Sequence, residues 1–167
     1  MPQRIMAVLW DFVAQQFRDS IGSASDLDLE YRLASDEYSA GETAWRALGA
    51  CERWSAVLAG ATTSEEALEM SPRSVDLIQA ASDRYPPGRF PDTMPNDAEK
   101  IIERADDVFA TLFAQLSELR PTERSTEYRT WWGATYTGDE IVARVLWTLG
   151  YVDGQIRLLV NANRKGI

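Results

Sequence analysis

The side chains best equipped for chemistry fall in two helical stretches. In "ALGACERWSAVLAG" the neighbours Cys51 and Glu52 offer a thiol and a carboxylate, and in "VLWTLGYVDGQIRLL" Tyr151 and Asp153 offer a phenol and a second carboxylate. Cys51 could serve as a nucleophile if its surroundings lowered its pKa. At an apolar helical position the competing reading is a small buried core residue. Glu52, Asp153 and, further away along the chain, Asp11 could bind Mg²⁺ or move protons if two of them faced each other in a dry site. The alternative is that Glu52 pairs with an arginine such as Arg144 or Arg157 and ties helices together. Tyr151 could donate a proton, although a phenol with an ordinary pKa of about 10 is a weak acid at neutral pH.

The absence of histidine narrows this list sharply. The 167 residues contain no His and one Cys. Ser-His-Asp and Cys-His catalysis are therefore excluded, as are His-based zinc, iron and nickel sites. Any metal would need an oxygen-only shell, the preference of Mg²⁺ or Ca²⁺. No metal or other cofactor is expected. One cysteine also excludes an intrachain disulfide and fits a reducing compartment. The net charge of −9, with basic residues concentrated only in "NANRKGI", argues against nucleic acid as a partner. No apolar run is long enough to span a membrane, and the first residues read as an amphipathic helix and not a signal peptide, so a cytoplasmic location is expected.

Four long helical patterns must position these residues, and residues 1–167 read as one domain. The first runs from about Gln3 to Ile21, with Ile5, Val8, Leu9, Phe12, Val13, Gln16 and Phe17 on its apolar stripe. The second opens on Ser39 as N-cap with Glu42 three residues later, the spacing of a capping box, and stops at Gly60. A short extra helix is expected from Pro72 to about Arg84, followed by an extended connection enforced by Pro86, Pro87, Pro91 and Pro95. The third helix starts at Asn96 with Glu99 as its partner and carries the clearest amphipathic pattern, from Ile101 to Leu119. The fourth has Thr137 as N-cap and Glu140 as partner, runs to about Asn161, and is apolar almost all round, so it should be the most buried. A short helix within "DLDLEYRLASDEY" and an extended piece around Arg129 to Tyr136 complete the reading. The class is all-α, an up-down-up-down or crossover four-helix bundle.

Two stretches then show a family resemblance. "TLGYVDGQI" in the fourth helix resembles the DinB-like superfamily, which includes the DinB and YfiT proteins and the mycothiol- and bacillithiol-dependent transferases. Members commonly carry two histidines four residues apart, then Arg-Gly-Gln; here Gly154, Gln155 and Ile156 match, with Asp153 in the Arg place. The second helix resembles the family at Glu52, Arg53 and Trp54. The helix order and the long connection after the second helix agree, so the resemblance spans nearly the whole chain. It implies a DinB-like four-helix bundle with an extra short helix in the long second connection, and homodimers as a frequent habit. The family's three metal-binding histidines fall on Ala47, Thr148 and Val152, which removes the metal chemistry while leaving its scaffold.

Three functions follow as expectations. One is a metal-free small-molecule-binding or interaction module, in which Ala47, Cys51, Thr148 and Val152 line a modest pocket for a small apolar ligand or simply fill core. Another is a metal-independent transferase or hydrolase related to the thiol S-transferases, using Glu52, Tyr151 or Cys51. The last is a dimeric stress-response structural protein. Gly150 and Gly154, four apart, are expected to let a neighbouring helix approach closely, and Gln155 to find a partner on a neighbouring helix or backbone. Of the aromatic residues, Trp10, Trp45, Trp54 and Trp147 read as core or pocket lining, whereas one ring of Trp131–Trp132 should be exposed at a pocket mouth or interface.

Overall fold

The computed structural model describes residues 3–70 and 85–167. The expected helix from Pro72 to Arg84 lies outside the described residues. Among these, the chain is mostly helical, with one small two-stranded sheet. Helix α1 covers Gln3–Gly22, and a short α2 covers Asp26–Glu30. Helix α3 covers Ala40–Leu58 and α4 covers Ser64–Met70. Then come α5 (Ala98–Glu118), α6 (Pro121–Arg124), the hairpin β1 (Glu127–Arg129) with β2 (Thr135–Thr137), and α7 (Gly138–Lys165).

The helix starts follow the chemistry of their first turns. Ser39 and Glu42 form the expected capping box on α3, and Thr137 and Glu140 form it on α7. Ser25 and Asp28 make a third on α2. Helix α5 begins one residue later than expected: its N-cap is Asp97, whose Oδ1 accepts from the Lys100 N–H at 2.9 Å. Asn96 is diverted to the start of α3, where its Oδ1 accepts from the Ser39 hydroxyl at 3.4 Å. Helix α7 continues four residues past Asn161 and ends at Gly166, whose φ of 67° supplies the left-handed cap. The extended piece is a tight hairpin pairing Tyr128 with Tyr136.

The four long helices surround one core, with α3 packed on α5 and α7, and α1 packed on the same two. Contacts along their lengths give the directions. Trp10 meets Phe113 while Arg18 meets Asp106, so α1 and α5 are antiparallel. Trp45 donates to the Pro95 carbonyl at the foot of α5, and Ser55 bonds Gln115 near its end, so α3 and α5 are parallel. Gln16 meets Arg157 and the Ser23 carbonyl meets Arg164, so α1 and α7 are parallel too. The bundle is thus up-down-down-up, the crossover alternative. A parallel pair of neighbours needs a return of the whole helix length, about 28 Å for the 19 residues of α3. The long second connection provides it. The connection is anchored on arrival by the buried Glu42, which accepts from the Gly88 N–H at 2.7 Å.

Two expectations about faces are corrected. On α1 the inward stripe is Met6, Trp10, Ala14, Phe17 and Ile21, whereas Val8 and Phe12 are 62% exposed. The helix carries two apolar stripes, and the core takes the one whose Trp10 and Phe17 rings meet Phe109 edge-on at 5.8 and 5.5 Å. Helix α7 is not buried all round: Trp147 is 66% exposed, and Tyr151 and Leu158 are also exposed. Its inward residues, Ile141, Val145, Leu149, Val152 and Ile156, form a single stripe.

The far end of α7 is held by Asp28. This buried carboxylate accepts from Arg164 at 2.8 Å, from Asn163 at 2.9 Å and from the Ser25 N–H at 3.0 Å. The Arg164 guanidinium, backed by the Ser25 and Asn163 bonds, holds its pKa well below the ordinary carboxylate value of 3.8. A depressed carboxylate stabilises the fold above its unfolded pKa, and that stabilisation is lost as pH falls through about 4 and below. Asp28→Asn should therefore be less stable than wild type at neutral pH, and the gap should close in denaturant titrations below about pH 4. A gap independent of pH would show that the carboxylate charge is not what anchors α7.

Candidate functional site

The residues with chemical potential are separated by the helical geometry. Ala47 and Cys51 on α3 and Val152 on α7 are buried in the common core of two directly packed helices, while Thr148 is half-buried. Cys51 is 1% exposed, and burial, reinforced by the adjacent Glu52 charge, pushes its thiol pKa far up. It is a protonated, enclosed core residue at neutral pH.

Glu52 stands about 100° further round the same helix and so faces α5 and not α7. Its partner is Arg104, an ion pair in which the Glu52 side chain is 6% exposed and the Arg104 side chain 25%. The expected partners are engaged elsewhere: Arg144 lies over the Tyr136 ring, 4.2 Å from its centre, and Arg157 holds Asp153 at 2.9 Å. Asp153 also accepts from the Ser20 hydroxyl, so it ties α7 to α1. Asp11 is exposed and borders a groove between α1 and α5 with Arg18 and Asp106. Tyr151 is 54% exposed and stacks on Trp147, ring centres 5.2 Å apart and planes 8° apart. Gln155 is half-buried; its amide donates to the Tyr151 hydroxyl on the same helix at 3.2 Å, and not to a neighbouring helix or to backbone as expected. Cys51, Glu52 and Tyr151 therefore address the core, α5 and solvent respectively. Among the described residues no group of three His, Cys, Asp or Glu converges on a point where a metal ion could sit.

Among the described residues, Gly150 and Gly154 do not serve close packing. A methyl group on either would meet no atom of another described element within 4 Å, because both lie on the outer face of α7. The Trp131–Trp132 pair is likewise corrected. Both rings are half-buried, Trp132 edge-on to Trp54 at 5.7 Å and Trp131 against the small cluster of Ala56, Ala61 and Ala67. The hairpin folds them down onto α3.

Among the described residues, one concavity lies between α3 and α5, with Met70 of α4 on its wall. It encloses about 480 Å³. Ala56, Ala59 and Val108 give it apolar lining, and Ser55, Gln115 and the Glu52–Arg104 pair give it polar lining. The Ser55 hydroxyl donates to the Gln115 side chain at 2.7 Å, and the Gln115 amide returns a bond to the Ser55 carbonyl at 3.2 Å. Reasoning from sequence missed Arg104 and Gln115. The signal was present: Arg104, Thr111 and Gln115 recur at helical spacing along one edge of the α5 apolar face.

A scan against models of known protein families finds no match to this chain, and a search of the curated proteins finds none either.

Two expected outcomes test this geometry. Cys51 should resist Ellman's reagent in the folded protein and react only after denaturation; prompt labelling would reveal an accessible thiolate. Glu52→Ala strands Arg104, and its cost should be about 2 kcal/mol, below that of a fully buried pair because Arg104 keeps partial contact with water. Chemical denaturation would measure it, and a neutral effect would show that the pair adds nothing to the fold.

Proposed function

We propose that the protein is a metal-independent, DinB-like bundle that works as a binding module, holding a small, largely apolar molecule between α3 and α5 and pairing with a second copy of itself. The kinship is supported by the Gly-Gln-Ile and Glu-Arg-Trp motifs and by the long second connection. The binding reading is carried by the cleft, whose volume of about 480 Å³ lies within the range of small-molecule sites. Among the described residues, its charged lining is one guanidinium, Arg104, and two carboxylates, Glu52 and Asp107. A neutral or cationic molecule with a hydrogen-bond donor therefore suits it better than an anion. The expected pocket around Ala47, Cys51 and Val152 is the weaker candidate, because those side chains are packed in core. The enzymatic alternative is disfavoured by the separation of Cys51, Glu52 and Tyr151. Pairing is favoured by Phe12, Trp147 and Leu158, large apolar side chains left outside the core.

Backbone amide NMR during a screen of small neutral and cationic fragments tests the binding reading. Binders should shift the amides of Ser55, Ala59, Thr111 and Gln115, and Thr111→Trp, at an exposed position on the rim, should abolish those shifts. Absence of any such fragment, or shifts that persist in Thr111→Trp, would remove the cleft as the site. Calorimetric titration with Zn²⁺ and Ni²⁺ should show no saturable one-to-one binding, and stoichiometric binding would overturn metal independence.

A further inference from the structure

The outer face of α7 carries large apolar side chains and glycines that no other described element covers. Trp147, Tyr151 and Leu158 recur at helical spacing on one stripe and are 66%, 54% and 62% exposed. Gly150 and Gly154 lie on that stripe with open space above them. Glycine is a poor residue for a helix interior, and no contact among the described residues requires either one. The same stripe begins with the exposed Glu140 and ends with the exposed Lys165.

We propose that this face is a self-pairing surface on which α7 of a second copy lies antiparallel. This rests on the pairing part of the reading above and names the surface. The order of residues along the stripe makes it self-complementary about a two-fold axis between Val152 and Asp153. Antiparallel apposition sets Trp147 opposite Leu158 of the second copy, Tyr151 opposite Gly154, and Glu140 opposite Lys165, and the two-fold repeats each contact. The glycines then act as a notch that receives the Tyr151 ring and lets the helices approach to about 8 Å. Unlike charges meet at both ends, whereas a parallel pair would set Glu140 beside Glu140 and Lys165 beside Lys165. A shallow hollow of about 410 Å³ beside Trp147, lined by Glu140, Ala143 and Arg144, lies where the Leu158–Lys165 turns of the second copy arrive. Helix α1 runs parallel alongside, and its exposed Phe12 stands one turn before Gln16, the contact of Arg157. It widens the surface from a single helix toward the roughly 800 Å² per partner of a stable dimer.

Sedimentation velocity on the full chain at about 1–100 μM tests the proposal, the range over which weak pairs of this size associate. Wild type should sediment as a dimer at the upper end. Gly154→Trp fills the notch at a position with open space above it, so helicity and melting should be retained while the dimer dissociation constant rises at least tenfold. Lys165→Glu sets carboxylates together at both ends of the pair and should weaken pairing, more at low salt than at high salt. A wild-type dimer indifferent to Gly154→Trp, or to Lys165→Glu, overturns the α7 surface and its register while leaving pairing itself intact. A monomer at about 100 μM overturns both.

Discussion

A carboxylate carried inward on a largely buried helix sets the geometry of the bundle. Glu52 is almost fully enclosed, an enclosed charge needs ionic partners, and Arg104 of α5 stands beside it as one. That pairing works with the Trp45 and Ser55 bonds to lay α5 parallel to α3. Parallel neighbours require a long return, which the connection beginning after α3 supplies. The same ion pair forms one wall of the α3–α5 cleft. A residue with the makings of a general acid or base is thereby committed to architecture.

The neighbours of Glu52 show how one helix divides its tasks by angle. Cys51 points into the core, where burial keeps its thiol protonated, and Ala47 lies one turn earlier on the inner surface. Trp54 turns toward the hairpin and receives Trp132 and Tyr136 on its edges. Helix α3 thus serves core, cleft and hairpin with successive faces. Among the described residues, these faces keep the Cys51 thiol and the Glu52 carboxylate apart, one in the core and one at the cleft.

Polar residues carry the other joints. Asp28 closes the capping box of α2 and at the same time grips Asn163 and Arg164 at the end of α7. Asp153, where the proposed relatives have arginine, accepts from Ser20 of α1 and from Arg157 of its own helix. Its charge is absorbed by a joint between α1 and α7. With the polar joints on its flanks and the apolar stripe inward, the remaining surface of α7 is the one holding Trp147, Gly150, Tyr151, Gly154 and Leu158.

Local chemistry was legible in the sequence wherever a structural decision is made within a few residues. The capping boxes at Ser39 and Thr137, the amphipathic α5 and the all-α class depend on hydrogen bonds and periodicity along one segment, which sequence spacing displays directly. The absence of histidine likewise excluded whole classes of chemistry without reference to any fold. Angular choices around a helix were not legible. Helix α1 offers two apolar stripes, and only the rings of Phe109 and Phe113 select the one bearing Trp10. Glu52 had several arginines to choose from, and Gly150 and Gly154 could face a neighbour or solvent. Periodicity states that residues share a face, but not what that face meets. Only the packing of α3 against α5 and α7 decided which groups became core, which became cleft and which were left outside.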